Sequence, residues 1–172
     1  MNKLIMVSLW VFSSLSMAGA QSAEQDIINH ITKLFVYTDE QKWDEVQSSF
    51  AKQVLLDYSS FTGIEAAEMT PDQLVAGWSG FLPGFEATHH QVGNFIVETD
   101  DDEAQLFCYG TATHYLPNES GKNVWTVVGT YDFGLVKTAD GWKVNIMKFD
   151  FKYQDGNTDL PKLIQSKATK DK

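Results

Sequence analysis

The fold is decided by residues 103–116, EAQLFCYGTATHYL, in which small or apolar side chains alternate with polar or aromatic ones. An alternation with a period of two is typical of a β-strand, because successive side chains point to opposite faces of the sheet. The same period recurs in residues 87–99, 123–137 and 141–153, and Asp, Asn and Gly occupy the gaps between these segments. The second half of the chain therefore predicts four long antiparallel strands joined by hairpins.

Helical patterns come before these strands. From Ser22 to about Tyr37, apolar residues recur every three or four positions, and the residues at Ser22 fit a capping box, which predicts a first helix. A short second helix and a strand at residues 53–58 follow, and a further helix begins at Thr70 and ends at Pro83. Helices followed by an antiparallel meander predict an α+β domain whose sheet wraps its concave face around the helices.

The two ends of the chain carry different signals. Lys3, a mostly apolar run over residues 4–17 and the ending Ala18-Gly19-Ala20 have the form of a secretory signal peptide. We expect cleavage after residue 20 and export to the periplasm or the medium; a retained membrane anchor is the alternative. Residues 21–160 then form one domain, and we expect the Lys-bearing segment 161–172 to be a mobile tail.

The composition excludes several classes of partner. All 13 cations are lysines, they face 23 acidic residues, and the formal net charge is −10, which becomes −11 if the signal with its single lysine is removed. Such a surface repels nucleic acid and anionic membranes. The lack of arginine and of a glycine-rich phosphate loop disfavours a nucleotide, so no cofactor is expected. With one cysteine, Cys108, there is no internal disulfide, and we expect a buried, inert thiol.

A small-molecule pocket is predicted on the concave face of the sheet. His114 shares its strand face with Gly110 and Ala112, which are small and leave volume beside the imidazole. We expect His90 and Asp132 at same-face positions on the neighbouring strands, so that three polar groups converge there. Two aromatic residues of the last strand, Phe149 and Phe151, are expected to close the far wall of the pocket.

Two short segments and the order of the strands resemble a known family. They are the Lys42-Trp43-Asp44 turn and the run Leu56-Asp57-Tyr58-Ser59-Ser60-Phe61. Over about residues 25–155 the chain resembles the SnoaL-like branch of the nuclear transport factor 2 superfamily, and its pattern there is most similar to that of the scytalone dehydratases. The resemblance implies a cone-shaped α+β barrel, with N-terminal helices packed on the concave face of a curved, mostly antiparallel sheet.

The same resemblance implies catalytic residues. The dehydratases' two histidines match His90 and His114, their histidine-orienting aspartate matches Asp39, and one carbonyl-polarising tyrosine matches Tyr58. The implied chemistry is proton abstraction beside a carbonyl followed by loss of water, without metal or organic cofactor. In this hypothesis His90 is the base, His114 with Asp39 fixes its orientation or moves the proton, and Tyr58 donates to the enolate oxygen.

Three substrate-contacting positions of that family carry other residues here. The second tyrosine falls on Thr38, which is shorter and a poorer acid. A serine matches Thr130, and an asparagine matches Asp132, which brings a charge where the family has a neutral group.

Four functions remain open from the sequence. The first is a cofactor-free lyase (dehydratase) or isomerase for a small apolar or hydroxy-carbonyl molecule, and the second is a non-catalytic small-molecule binding protein. A third is a metal site with the ligand types of a facial triad, His90, His114 and Asp132. The fourth is a subunit interface, since we expect a homo-oligomer, a dimer or trimer, that buries the outer face of the sheet. The aromatic residues assigned to that outer face are Tyr109, Trp125, Tyr131 and Phe133.

Overall fold

The computed structural model describes residues 9–168, and side chains within residues 23–166. The helical elements are α1 (Leu9–Asp39), α2 (Trp43–Ser48), α3 (Ser59–Thr62), α4 (Pro71–Ser79), a 3-10 turn (Leu82–Gly84) and α5 (Leu160–Ala168). The strands are β1 (Phe50–Asp57), β2 (Ala67–Met69), β3 (Ala87–Asp100), β4 (Glu103–Tyr115), β5 (Val124–Thr138) and β6 (Gly141–Gly156). The predicted α+β class and the four long strands are confirmed.

The six strands form one curved, unclosed sheet in the order β2-β1-β6-β5-β4-β3. Neighbouring strands are antiparallel except for β1 and β6, which pair in parallel. The parallel pair brings the start of the domain beside its last strand. The result is the predicted cone, with the N-terminal helices against the sheet.

Helix α1 supplies the centre of the core. Ile27, Ile31 and Leu34 recur at helical spacing on one face and are fully buried, and the helix packs against β3 and β6. The helix does not begin at Ser22, as the capping box predicted; it is continuous from Leu9 to Asp39. In residues 9–168 no helix combines the length and the hydropathy that crossing a bilayer requires.

The helix predicted at Thr70 is confirmed. The Thr70 side chain accepts a hydrogen bond from the backbone N–H of Gln73, the Gln73 side chain accepts one from the backbone of Thr70, and Pro71 occupies the first turn. This reciprocal cap fixes the start of α4. Helix α4 and the residues after it bring Trp78, Phe81 and Leu82 to the wall of a cavity inside the cone.

The C-terminal segment differs from the predicted mobile tail. Residues 160–168 form helix α5, in which Leu160 and Ile164 are buried in the core. The side chain of Ile164 lies against Gly84, where a Cβ atom would collide with it. The sequence pattern did not reveal these two buried residues, because the other residues of the segment are mostly polar. Residues 169–172 lie outside the described part of the chain.

Candidate functional site

The inside of the cone contains a cavity of about 270 Å³ between the N-terminal helices and the inner face of β4, β5 and β6. Small residues of β4, Gly110 and Ala112, line one side of it, as predicted. Most of the remaining lining is aromatic, which suits a small and largely apolar guest. These aromatic lining residues are Phe35, Tyr58, Phe61, Trp78, Phe81, Trp125, Tyr131 and Phe149.

His90 lines this cavity and is held in place by Asp39. Nδ1 of His90 lies 2.6 Å from Oδ1 of Asp39, and the backbone N–H of His90 donates to Oδ2 at 2.7 Å. The hydroxyl of Thr88 donates to Oδ1 as well, at 2.8 Å. Three donors therefore hold one carboxylate, which is the last residue of α1, and through it they fix the ring of His90.

The electrostatics of Asp39 agree with this geometry. Burial alone would raise its pKa, but the hydrogen bonds from His90 and Thr88 and the charge of His90 outweigh burial, and the pKa lies below its usual value. The carboxylate is thus ionised and accepts from Nδ1–H of His90. In the neutral form of His90 with its proton on Nδ1, the other ring nitrogen, Nε2, carries the lone pair that can take a proton from a guest.

His114 occupies a different environment. It is buried, its ring stacks on Trp125 with 4.5 Å between centroids, and it packs against Phe85 at 4.7 Å. Its Nδ1 lies 3.4 Å from the carbonyl oxygen of Trp125. Burial, and then the charge of His90, lower the pKa of His114 to about 4. His114 is therefore neutral at physiological pH.

These contacts agree with the histidine-orienting role that the resemblance implied for Asp39, but they involve His90 and not His114. The rings of His90 and His114 lie edge to face, with centroids 6.0 Å apart. They do share one cavity. Asp39, however, binds His90 and not His114, because the last turn of α1 ends beside β3, the strand that carries His90.

Tyr58 reaches the cavity from the end of β1, as the sequence predicted. Its hydroxyl lies 3.9 Å from the sulfur of Met147, and its ring and that of Tyr131 on β5 both pack against Phe149. Tyr131 was missed as a site residue because it had been assigned to the outer face. The rule that the more apolar face of a strand points inward would have found it, since Trp125, Val127, Tyr131 and Phe133 form such a face.

Of the five predicted substrate-binding residues, two line the cavity and three do not. Thr38 and Phe149 are buried and line the cavity. The hydroxyl of Thr38 donates to the backbone oxygen of Leu34 at 2.8 Å, so it is already used inside α1. Phe151 packs against Phe61, with ring centroids 5.1 Å apart, and does not line the cavity itself.

Asp132 and Thr130 lie on the outer face of the sheet, contrary to the prediction. Asp132 is exposed and pairs in register with Phe107 and Lys148, whereas its neighbours in sequence, Tyr131 and Phe133, point inward. The assumed face of β5 was wrong by one residue, which moves every side chain to the opposite side. Of the aromatic residues assigned to the outer face, only Tyr109 lies there.

This correction removes Asp132 as the third ligand of the metal site that was considered as an alternative function. Asp132 cannot join His90 and His114, because the sheet lies between them. Among the residues that the structure describes, no group of three His, Cys, Asp or Glu side chains is arranged to hold a metal ion. Cys108 is fully buried in the core, and burial followed by the charge of Asp132 raises its pKa to about 12, so the thiol is protonated.

The family is established by the sequence. Residues 20–148 match the model of the SnoaL-like domain, and the chain therefore belongs to that family. Its fold is that of the nuclear transport factor 2-like superfamily. A search of the curated proteins gave no significant match.

Solved structures confirm the fold. The Kfla4162 protein from Kribbella flavida is 28% identical with a TM-score of 0.79, over 83% of this chain and 99% of that one. A candidate scytalone dehydratase from Novosphingobium aromaticivorans is 18% identical with a TM-score of 0.64, over 76% and 85% of the two chains. A hexachlorocyclohexane dehydrochlorinase from Novosphingobium barchaimii is 14% identical with a TM-score of 0.65, over 84% and 94%. The last two likenesses concern the fold alone.

Proposed function

We propose that this protein is a cofactor-free lyase (dehydratase) or isomerase that acts on a small, largely apolar molecule carrying a carbonyl or hydroxy-carbonyl group. The observation that carries the proposal is the bond of 2.6 Å between Nδ1 of His90 and Oδ1 of Asp39 at the wall of an aromatic cavity. A carboxylate that fixes the tautomer of an imidazole makes a general base at near-neutral pH.

The proposed reaction uses only groups of this chain. Nε2 of His90 takes a proton from the carbon next to the carbonyl, and the C–H electron pair becomes the enolate. Tyr58 donates a hydrogen bond to the enolate oxygen. In an elimination, the enolate re-forms the carbonyl and a carbon–carbon double bond, and the β-hydroxyl leaves with the proton from His90 as water; in an isomerisation, that proton returns to another carbon.

The remaining cavity wall selects the guest. His114 is uncharged, and none of the side chains that line the cavity is a lysine. A carboxylate or phosphate on the guest would therefore be desolvated without a cation to compensate it. Neutral, ring-shaped molecules with few polar atoms fit this lining best.

The proposal is tested with two matched carboxylate variants. Asp39→Asn removes the partner of His90, whereas Asp132→Asn makes the same change on the outer face. Neutral hydroxy-ketones and ketones that raise the melting temperature of the purified protein are incubated with it in D₂O, and NMR follows the loss of α-protons and the appearance of alkene signals. We expect turnover in the wild type and in Asp132→Asn, and a rate at least about tenfold lower in Asp39→Asn. Equal rates in the two variants contradict the proposal.

A non-catalytic binding protein is the alternative, and the aromatic lining of the cavity favours it equally well. The same experiment separates the two functions. Saturable binding without proton exchange or elimination for any bound ligand, in the wild type as in Asp39→Asn, supports the binding protein and rejects the enzyme.

We also propose that the chain is exported after cleavage following Ala20. Among the described side chains of α1, the first that is buried in the core is Ile27, which lies after the proposed cleavage point. Intact-mass analysis of protein from the periplasm or medium tests this. A mass that still includes the first 20 residues contradicts it.

A homo-oligomer, dimer or trimer, is proposed for the outer face of the sheet. Ile96, Tyr109, Ile146 and Leu55 are exposed there. Association of two such faces would bury these side chains. Light scattering on the purified protein measures the mass directly, and a monomer at all concentrations contradicts the proposal.

A further inference from the structure

We propose that Thr88 is a positioning residue of the proposed base: its hydroxyl holds Oδ1 of Asp39 against Nδ1 of His90, so that the imidazole keeps its proton on Nδ1 and its lone pair on Nε2. Thr88 acts through Asp39 rather than by contact with the guest. The inference deepens the proposed function and rests on it for the chemistry. The position of the proton on His90, however, does not depend on turnover and is measured without a guest.

The three donors that hold Asp39 come from one short segment of β3. Thr88 and His90 are half-buried, whereas His89 between them is exposed, as expected when alternate side chains share a face. The hydroxyl of Thr88 and the imidazole of His90 therefore lie next to each other on the same face of the strand. Continuous pairing of this segment with β4 fixes their spacing.

Two of the donors converge on a single oxygen. Oγ1 of Thr88 lies 2.8 Å from Oδ1 of Asp39, and Nδ1 of His90 lies 2.6 Å from the same atom. A carboxylate oxygen has two lone pairs, so these two donors occupy both. The third donor, the backbone N–H of His90, binds Oδ2 at 2.7 Å. Without the hydroxyl of Thr88, Oδ1 would be held by the imidazole alone.

The position of Asp39 in α1 makes these donors necessary. Asp39 is the last residue of the helix, where the carbonyl groups of the final turn disfavour a negative charge. That turn contains no basic residue, and Lys42, the next lysine along the chain, pairs with Glu40 at 2.6 Å. Burial raises the pKa of Asp39, and the hydrogen bonds from His90 and Thr88 with the charge of His90 bring it below its usual value. The carboxylate is therefore stabilised from β3.

The bond between Asp39 and His90 is largely shielded from solvent. The exposed fraction of the side chain is 12% for His90 and 16% for Asp39. Water therefore has little access with which to replace a lost donor. Valine has nearly the shape of threonine but carries a methyl group in place of the hydroxyl, so Thr88→Val removes the donor and keeps most of the packing.

The hydroxyl of Thr88 also affects the proton during the proposed reaction. When Nε2 of His90 takes a proton from the guest, the imidazolium has a proton on each nitrogen. The proton on Nδ1 then either stays beside the ionised carboxylate, or moves to Oδ1 of Asp39 and leaves a neutral imidazole and a carboxylic acid. Donation from Thr88 to Oδ1 lowers the affinity of this oxygen for that proton. The ion pair that stabilises the imidazolium is thereby kept.

The experiment reads the position of the proton on His90 directly. NMR of the ¹⁵N-labelled protein at about pH 8, where an unperturbed imidazole is neutral, distinguishes the Nδ1–H form from the Nε2–H form. The signals of His90 are those that are missing from His90→Ala. Thr88→Val is compared with the wild type and with Thr88→Ser, which keeps the hydroxyl. Thr111→Val makes the same change on the outer face of β4 and is the matched control, since residues 110 and 112 on either side of it line the cavity.

We expect the Nδ1–H form to predominate in the wild type, in Thr88→Ser and in Thr111→Val. In Thr88→Val the ratio of the Nδ1–H form to the Nε2–H form should fall by about tenfold. Exchange of the α-protons of α-tetralone in D₂O should show a kcat about tenfold lower in Thr88→Val, with KM unchanged because Thr88 does not contact the guest. If Thr88→Val does not fold, Thr88→Ala removes the same hydroxyl and takes its place.

The same ratio of the two forms in Thr88→Val as in the wild type overturns the inference, and so does a failure of Thr88→Ser to restore the wild-type ratio. A purely structural role of Thr88 would leave the ratio in the folded protein unchanged. Failure of the inference is distinguishable from failure of the proposed function. A ratio that depends on Thr88, without α-proton exchange in the wild type, supports the inference and counts against the enzyme. Exchange that depends on Asp39, with a ratio that does not depend on Thr88, does the reverse.

Discussion

The two histidines of the cavity have opposite surroundings. His90 is held by the carboxylate of Asp39, whereas His114 is enclosed by Trp125 and Phe85 and has a backbone carbonyl at 3.4 Å. The same type of side chain can therefore serve as a base at His90 and as a neutral, partly aromatic surface at His114. The difference shows that residue type alone does not define a catalytic pair, since the neighbouring charge and the burial decide what each ring can do.

The largest effect is expected from removal of the paired imidazole. His90→Ala should lower the rate of α-proton removal by about 10² to 10⁴, the usual contribution of a positioned proton-transfer group. His89→Ala is the matched control, because His89 precedes it on β3, is exposed and points to the other face of the sheet. Rates are compared by NMR in D₂O. A loss below tenfold in His90→Ala would remove His90 from the mechanism.

The second effect concerns His114 and stability at acid pH. Since its pKa is about 4 in the folded protein and that of an unperturbed histidine is 6.5, the unfolded chain binds a proton between these values and the folded protein does not. The free energy of unfolding should therefore fall as the pH is lowered through this window, by about 3 kcal/mol in total from this group. Urea unfolding of the wild type and His114→Gln at pH 7 and pH 4 measures the contribution. The same pH dependence in both proteins would contradict it.

The smallest effect is expected on the outer face of the sheet. Asp132→Asn should change the free energy of unfolding by less than about 0.5 kcal/mol, because the side chain is exposed and none of its interactions reaches the cavity wall. Thermal unfolding at neutral pH measures this. A large loss of ligand binding in this variant would mean that β5 presents its other face to the guest.

The fold could be predicted from local patterns, whereas the site could be predicted only in part. Strand bounds followed from alternation and from polar hairpin connections, and the capping box at Thr70 fixed α4. The parallel pairing of β1 with β6 has no local signal, because it depends on how the sheet closes around α1. Ile164, a single anchor in a polar segment, also needs the tertiary structure to be recognised.

The errors in the predicted site come from the assignment of which side chains of β5 and β3 point into the cavity. On β5, polar and aromatic residues alternate around Tyr131, and the choice of the polar set as the inner face exchanged Asp132 for Tyr131. On β3, a bulge between Gly93 and Ile96, with Asn94 at a φ of 58°, reverses the alternation beyond Val92. His90 lies before the bulge, so its inward direction could be predicted. The contact of Asp39 with His90 was implied only by the family resemblance, because the residues alone do not show which strand the end of α1 reaches.

Gly129 and Phe149 have a consequence for how the family can diversify. They lie on the adjacent strands β5 and β6, and the ring of Phe149 occupies the space that a side chain at residue 129 would need. A Cβ atom at residue 129 would also collide with the backbone oxygen of Asp150, so a smaller residue at 149 would not by itself make room for one. Residue 129 is therefore expected to stay glycine among related sequences, which leaves residue 149 as the single position at which this part of the interior can be reshaped to change which guests are admitted.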